Sequence, residues 1–193
     1  GGETFRFKPD VHEQLKSQVD QLLEEAERQQ ICLLAADWYQ QKDNPVAALE
    51  CLLRAEQYQA ISQLLSHAGL ELLADRYQPK LMELLAQVPE EDAANCGWLA
   101  LYTGAGLMFS QPFEVDSWLE LARNRFVISG DQRGELLTLS QQISQYLVAD
   151  GQVEQGLSRL ERLRELAETQ LGLLDPFNRL KVLFAQALGE LGC

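Results

Sequence analysis

The chain has few of the residues that usually carry catalysis or bind metals. Among its 193 residues there are two histidines, His12 and His67, and four cysteines, none of which forms a Cys-x-x-Cys pair. A zinc site normally needs four such ligands at characteristic spacings, and nucleophilic catalysis needs a base held beside the nucleophile. The sequence therefore argues against a metal site and against an enzyme, and it predicts no cofactor for this chain.

Positive charge is also scarce. The chain has 16 Lys and Arg residues against 29 Asp and Glu residues, and its formal net charge is −13. Binding to nucleic-acid phosphates or to an anionic membrane surface needs clustered cations, so we expect no direct contact with either. The sequence has no apolar run of about 18 residues, and we expect no signal peptide. We expect a cytoplasmic protein with reduced thiols.

Proline is sparse, and its positions mark helix boundaries. Leu, Ala, Glu and Gln dominate the chain at helical spacing, which favours an all-α fold. Proline is tolerated in the first turn of a helix but breaks its interior. The pattern predicts helices over about 10–41, 45–55, 58–66, 68–76, 79–87, 90–110, 113–128, 132–148, 153–170 and 176–191.

Helix pairs with a shared spacing indicate a repeat. A large residue in one helix is followed nine positions later by a small one, as in tetratricopeptide hairpins. Three series fit, the third weakly: Tyr39, Ala48, Leu52 and Ala55; Leu147, Gly156, Leu160 and Leu163; Gly106, Val115, Leu119 and Ala122. We predict a degenerate tetratricopeptide-like solenoid of helical hairpins that forms a right-handed superhelix. Such stacks usually bind partners.

Two polar features are better explained by helix ends than by chemistry. The run Glu90-Glu91-Asp92 follows a proline, where acidic side chains complement the helix dipole. His67 precedes Ala68-Gly69 at a predicted junction between helices, which favours a structural or capping role. Neither feature predicts a catalytic site.

Aromatic residues on the helices are the candidate ligand-binding groups. Helical spacing favours a role in the core for most of them. If the stack has a concave groove, Trp98, Tyr102 and Trp118 are the best candidates, because Gly104 and Gly106 leave room beside them. Aromatic rings with a polar edge suit small-molecule or peptide recognition.

An ordered series of short motifs, from about residue 5 to 101, is similar to one family. It comprises Phe5-Arg6-Phe7-Lys8-Pro9, Leu34-Ala35-Ala36-Asp37-Trp38-Tyr39, Pro45-Val46-Ala47-Ala48-Leu49, Ala55-Glu56-Gln57-Tyr58, Ala60 to Gly69, Leu84 to Pro89 and Trp98-Leu99-Ala100-Leu101. The series resembles the helical region of MalT-like bacterial transcription activators, signal-transduction ATPases of the LuxR type. Lys8 departs from the pattern, since the family often has His there.

The resemblance implies a fragment of a longer regulator. Residues 1–19 would be the end of a winged-helix segment, with a short N-terminal strand remnant, and a lead-in helix; residues 20–193 would be the sensor solenoid. ATP is expected only in an upstream domain, since this chain has no phosphate loop. The implied partner is a small-molecule inducer or a regulatory protein, and self-association stays open.

A second interpretation is a free-standing tetratricopeptide-like adaptor that binds a peptide of a partner. The acidity of the chain favours a basic or amphipathic helix as that peptide. The complete reading frame would separate this hypothesis from the regulator.

Overall fold

A computed structural model describes residues 24–73, 77–108, 111–149 and 153–191. These residues form an all-α fold that contains no strand, which confirms the predicted class. The chain divides into two compact units, Gly1–Glu56 and Gln57–Cys193. The predicted strand at Phe5 and Phe7, and the predicted boundary between 1–19 and 20–193, lie outside the described residues.

The first unit contains a pair of packed helices, α1 (Glu25–Gln41) and α2 (Pro45–Arg54). Asn44 caps α2, because its side-chain oxygen accepts a hydrogen bond from the Ala47 N–H at 3.2 Å. Proline is the first residue of α2, where its missing N–H has no intrahelical partner to lose. Small and aliphatic side chains fill the contact: Ala36, Ala48, Leu49, Leu52 and Ala55.

The described part of the second unit contains eight α-helices. They are α3 (Tyr58–Leu72), α4 (Gln78–Leu85), α5 (Glu90–Asn95), α6 (Gly97–Leu107), α7 (Pro112–Ser129), α8 (Gln132–Ser144), α9 (Val153–Gln170) and α10 (Pro176–Leu191). A π-helical turn, Gln145–Ala149, extends α8, and a 3₁₀ turn, Leu171–Leu173, follows α9. As the sequence predicts, α4, α7 and α10 each have a proline in the first turn.

Helix α8 is the central element of the second unit. It packs against α6, α7, α9 and α10, and every residue from 134 to 143 is buried. Its apolar side chains include Leu136, Leu139 and Ile143, each with no exposed surface. A helix covered on all sides must also bury its polar side chains, which then need partners from the surrounding helices.

Helix α3 is one helix where the sequence predicts two. The predicted segments 58–66 and 68–76 are joined, because α3 continues through Ala68-Gly69 to Leu72. Glycine costs a helix interior only about 1 kcal/mol relative to alanine. Buried Leu64, Leu65 and Leu72 hold the helix on both sides of that point. His67 therefore lies within a helix rather than at a junction.

The prediction of a single helix over 90–110 is wrong, because Cys96 separates α5 from α6. Cys96 is extended, with φ −121° and ψ 115°. Arg125 on α7 occupies the end of α5: its Nε donates to the Ala94 carbonyl at 3.0 Å, and its guanidinium donates to the Asn95 side chain at 2.6 Å. In a continuous helix a backbone N–H would donate to the Ala94 carbonyl. Here Arg125 donates to it instead, which stabilises the end of α5.

Candidate functional site

Trp98 belongs to the packed core of the second unit. Its indole is 7% exposed and makes an edge contact with the Phe126 ring, with centroids 5.1 Å apart. The indole N–H donates to the Asp131 carboxylate at 3.0 Å. With both the ring and its polar atom engaged, Trp98 has no side left for a ligand. Of the three predicted residues, it is the one that lines neither of the cavities described below.

The room expected beside Gly104 and Gly106 is filled by protein atoms. A Cβ on Gly104 would lie 3.0 Å from the Trp118 Cβ, and a Cβ on Gly106 would lie 1.9 Å from the Met82 sulfur. These glycines let α7 and α4 approach the α6 backbone closely. These two glycines therefore serve helix packing, and the expectation of free space beside the aromatic candidates is wrong.

Trp118 lines an open groove between α4, α5, α6 and α7. The groove has a volume of about 690 Å³ and mostly apolar walls, including Met82, Leu107 and Leu121. Phe113 stands at the groove with 97% of its surface exposed. Glu90 and Glu114 supply negative charge among the lining residues. The volume falls within the range of small-molecule sites, about 300–1,000 Å³.

Tyr102 lines a second, smaller cavity, which we call the polar pocket. It lies between α6, α8, α10 and Leu73, the residue that follows α3, and its polar side chains are Tyr102, Ser140, Gln141, Asn178 and Lys181. Burial raises the pKa of the Tyr102 hydroxyl well above its usual range, so the phenol stays protonated. Tyr102 and Trp118 therefore face different cavities, and the structure does not bring the three predicted residues into one site.

Lys181 is mostly buried at the polar pocket. Its Nζ donates to the Gln141 side-chain oxygen at 3.1 Å. No Asp or Glu among the described residues forms an ion pair with it. Burial lowers the pKa of the ammonium group, because the charged form loses its hydration. A charged side chain at such a position is a marker of function when it lies in a cavity with other polar groups.

Asn178 lines the polar pocket and has an unpaired acceptor. The side chain is 3% exposed, and its Nδ2 donates to the Asp175 carboxylate at 2.5 Å. Its Oδ1 is buried and has no hydrogen-bond partner. Buried polar atoms are rarely left unpaired, so this oxygen calls for a donor from water or a ligand.

A second polar cluster joins α7, α8 and α9. The Glu120 carboxylate accepts from the Arg159 guanidinium at 2.5 Å and from the Gln142 amide at 2.9 Å. The Arg159 guanidinium also lies over the Tyr146 ring, 4.7 Å from its centroid, and the Tyr146 hydroxyl donates to Asp116. These groups pair with one another. The cluster therefore fixes the packing of the three helices.

The pKa values in this cluster follow from the same contacts. Burial alone would raise the pKa of Glu120, but hydrogen bonds from Arg159 and Gln142 and the nearby guanidinium charges outweigh it and lower the value. Burial and the Asp116 hydrogen bond raise the pKa of Tyr146 well above its usual range. Glu120 is therefore ionised and Tyr146 protonated at neutral pH.

Glu135 on α8 forms another paired charge. It is 4% exposed, and both of its oxygens accept from the Arg162 guanidinium on α9 at 2.9 Å. Paired contacts of this kind suit the planar guanidinium fork. Both oxygens are therefore engaged, and the pair fixes the register of α8 against α9.

The residues that sequence reasoning missed are Gln141, Asn178 and Lys181. A signal for two of them is present in α10, whose buried positions are Asn178, Val182, Ala185 and Gly189. Asn178 lies on this stripe and Lys181 lies next to it. An asparagine on the buried stripe of a helix, with a lysine beside it, indicates polar groups inside the packed layer.

The remaining predicted features lie on helix surfaces. Glu90, Glu91 and Asp92 form the first turn of α5, and His67 bonds to the Gln63 carbonyl of its own helix at 2.9 Å. In the described ranges no group of three or more His, Cys, Asp or Glu residues could hold a metal ion. None of the helices described is both long and apolar enough to cross a membrane.

No protein-family model, curated protein or solved structure matches this chain.

Proposed function

We propose that this chain is a non-catalytic signal-sensing or protein-interaction region of a MalT-like bacterial transcription regulator. The observation that carries a binding role is the groove: about 690 Å³ of mostly apolar space, with the exposed Phe113 ring at its wall. Exposed aromatic surface of this kind marks interaction sites on folded proteins. The ordered motifs from residue 5 to 101 direct the proposal to this family.

The tetratricopeptide-like solenoid is part of the same proposal. It is supported within the units by helix pairs that pack closely at the predicted positions. A Cβ on Gly156 would lie 3.0 Å from the Leu147 side chain, which is the small-against-large pair that the spacing predicts. Ala48 in α2 and Ala55, the residue that follows α2, are fully buried at the equivalent positions of the first series.

A non-catalytic role is proposed from how the titratable groups of the described residues are engaged. The Glu120 and Glu135 carboxylates are held by arginines, and the Tyr146 hydroxyl is held by Asp116. An acid–base mechanism needs a group free to exchange a proton with a substrate. Signal binding would instead change helix packing and shift a conformational equilibrium in the complete regulator.

The complete open reading frame tests the regulator proposal. It should encode a phosphate loop upstream of this chain and a basic helix-turn-helix downstream. A reading frame without either element would contradict it.

The second candidate is an adaptor that binds a basic amphipathic helix. It is favoured by Glu90 and Glu114, which place negative charge beside the apolar walls of the groove. An amphipathic helix would lay its apolar face on those walls and its cations beside the two carboxylates. The net charge of −13 would also speed the encounter with a basic partner.

A matched pair of variants on α7 tests the groove. A fluorescein-labelled Leu/Lys amphipathic peptide should bind the wild-type protein, and Phe113→Ser should weaken binding about tenfold or more, as loss of an aromatic anchor does. Ile128→Ser is the control, because Ile128 is 78% exposed on the same helix and lies outside the groove. Fluorescence anisotropy measures the affinities.

Two outcomes count against the adaptor. One is equal weakening by both variants, which would mean non-specific contact with exposed apolar groups. The other is equal binding of a Leu/Glu version of the peptide, which would remove the charge argument.

A further inference from the structure

We propose that the groove binds a lipophilic organic cation, a small molecule that carries aromatic rings and a positively charged centre. The groove lies between α4, α5, α6 and α7, and its volume of about 690 Å³ accommodates a molecule of drug size. Two observations carry the assignment: aromatic and thioether side chains on the walls, and two carboxylates beside them. The inference names the ligand class of the proposed sensing site, and its biological role rests on that proposed function.

The Trp118 indole supplies an aromatic face at a fixed position. It is half-buried on α7 and lines the groove. Gly104 on α6 has no side chain, and a Cβ there would lie 3.0 Å from the Trp118 Cβ, so α6 and α7 meet at the base of the indole. A cation over the face of an aromatic ring is attracted by the ring quadrupole, and tryptophan attracts it most strongly. The groove therefore offers a cation a preorganised contact.

Phe113 and Met82 supply apolar surface that can adapt to a ligand. The Phe113 ring is 97% exposed at the groove, so a ligand that covers it removes apolar area from water. Met82 lines the groove from α4, and its flexible thioether makes favourable contacts with aromatic rings. These two side chains suit a ligand that has aromatic rings of its own.

Two carboxylates select the sign of the charge on the ligand. Glu90 lies in the first turn of α5 and Glu114 in the first turn of α7; both line the groove, and α5 packs against α7. Within the described residues neither carboxylate forms an ion pair, whereas Glu120 and Glu135 are held by arginines. A cation in the groove would give Glu90 and Glu114 a counter-charge.

Ligands of other charge fit the groove less well. An organic anion would lie beside two carboxylates and be repelled, and the net charge of −13 acts in the same direction. Residues 109 and 110 join α6 to α7 outside the described ranges; they are Phe and Ser and carry no charge. A neutral apolar molecule would use the walls of the groove without using the carboxylates. The charges therefore favour a cation.

Tetraphenylphosphonium and tetraphenylborate test the proposal, because the two ions have nearly the same size and shape and opposite charge. Isothermal titration calorimetry of the whole chain at neutral pH gives the two dissociation constants. We expect tetraphenylphosphonium to bind at least about tenfold more tightly, since each nearby carboxylate changes the affinity several-fold even in contact with water.

The double variant Glu90→Gln/Glu114→Gln tests the two carboxylates, because it keeps the size of the side chains and removes their charge. The Kd of tetraphenylphosphonium should rise about tenfold, and the preference over tetraphenylborate should shrink. Glu161→Gln/Glu168→Gln is the matched control: it changes the net charge equally, at exposed positions of α9 outside the lining of both cavities. Its effect on the Kd should stay within about twofold.

Two single variants test the aromatic residues. Trp118→Leu should weaken binding of tetraphenylphosphonium about tenfold, because the cation loses the face of the indole. Phe113→Leu should weaken it about threefold, and this exposed position keeps the test available if the tryptophan variant does not fold. Thermal melts show which variants fold.

Three results would overturn the proposal. Equal or tighter binding of tetraphenylborate would remove the selection by charge. Equal weakening by the two double variants would mean that the general acidity of the protein attracts the cation. Binding of neither ion, with the Leu/Lys peptide still bound, would make the groove a docking site for helices. The regulator proposal is decided separately by the open reading frame, so the two failures are distinguishable.

Discussion

At the scale of single residues, the polar side chains of the second unit divide into paired and unpaired groups. Glu120, Glu135 and Tyr146 lie between helices and are held by arginine or aspartate partners. Lys181 and Asn178 lie at a cavity and retain unused hydrogen-bonding capacity. The paired groups fix how the helices of this unit pack against one another.

The Glu120–Arg159 pair gives a prediction about acid stability. The pKa of Glu120 is lowered in the folded state from its ordinary value of 4.5, so the unfolded chain takes up the proton first as the pH falls. The stabilisation is fully present above the unfolded value and is lost as the pH falls through the folded value. Because the pair is partly exposed, it contributes about 1 kcal/mol.

Glu120→Gln should therefore lower stability by about 1 kcal/mol at pH 7 and flatten the decline in Tm below pH 4.5. Thermal melts between pH 3 and pH 7 provide the measurement. Glu83→Gln is the control, because its salt bridge lies at the surface, and its effect should stay within about 0.5 kcal/mol. If Tm falls below pH 4.5 as steeply in both variants as in the wild type, the Glu120–Arg159 pair does not cause the acid-induced decline.

At the scale of elements, α8 shows where sequence reasoning succeeds and where it stops. The predicted helix over 132–148 starts where α8 starts, at Gln132, and Gly156 marks the hairpin partner α9. The sequence does not show that α8 is covered by four helices. Its polar residues, such as Glu135 and Gln142, suggest a solvated face when read as a single helix. Their burial depends on arginines from α9, which local periodicity cannot reveal.

The contact between α7 and α8 depends on two glycines around one ring. Cβ atoms on Gly97 and Gly134 would lie 2.6 Å and 2.3 Å from the Phe126 ring. That ring is 3% exposed and packed against Trp98, so it has little freedom to move. The absence of side chains at both positions lets α6, α7 and α8 meet.

Gly134→Ala should destabilise the protein by about 1–2 kcal/mol, because the overpacking cost exceeds the gain in helix propensity. Gly172→Ala is the matched control: nothing lies within 4 Å of its added Cβ, and the change should be neutral or stabilising by up to about 1 kcal/mol. Urea unfolding of both variants measures the difference. A neutral Gly134→Ala would show that the ring can move aside.

At the scale of the whole molecule, the all-α fold class of the described residues is predictable from the sequence, and the polar pocket is not. Composition predicts the helices, and tetratricopeptide-like spacing identifies Gly156 as a close-packing position. Trp118 lines the groove, and its role in binding a ligand stays a prediction. The polar pocket is missed because Tyr102, Gln141 and Lys181 come from three helices far apart in sequence. Only the packing of α6, α8 and α10 brings them together.

We propose that this chain is the binding region of a larger regulator, and the complete open reading frame is the measurement that decides it. Sequencing outward from both ends should find a phosphate loop upstream and a basic helix-turn-helix downstream. That result would confirm the regulator and make the inducer the next question. A start codon beside Gly1 and a stop codon just after Cys193 would contradict the claim and leave an adaptor.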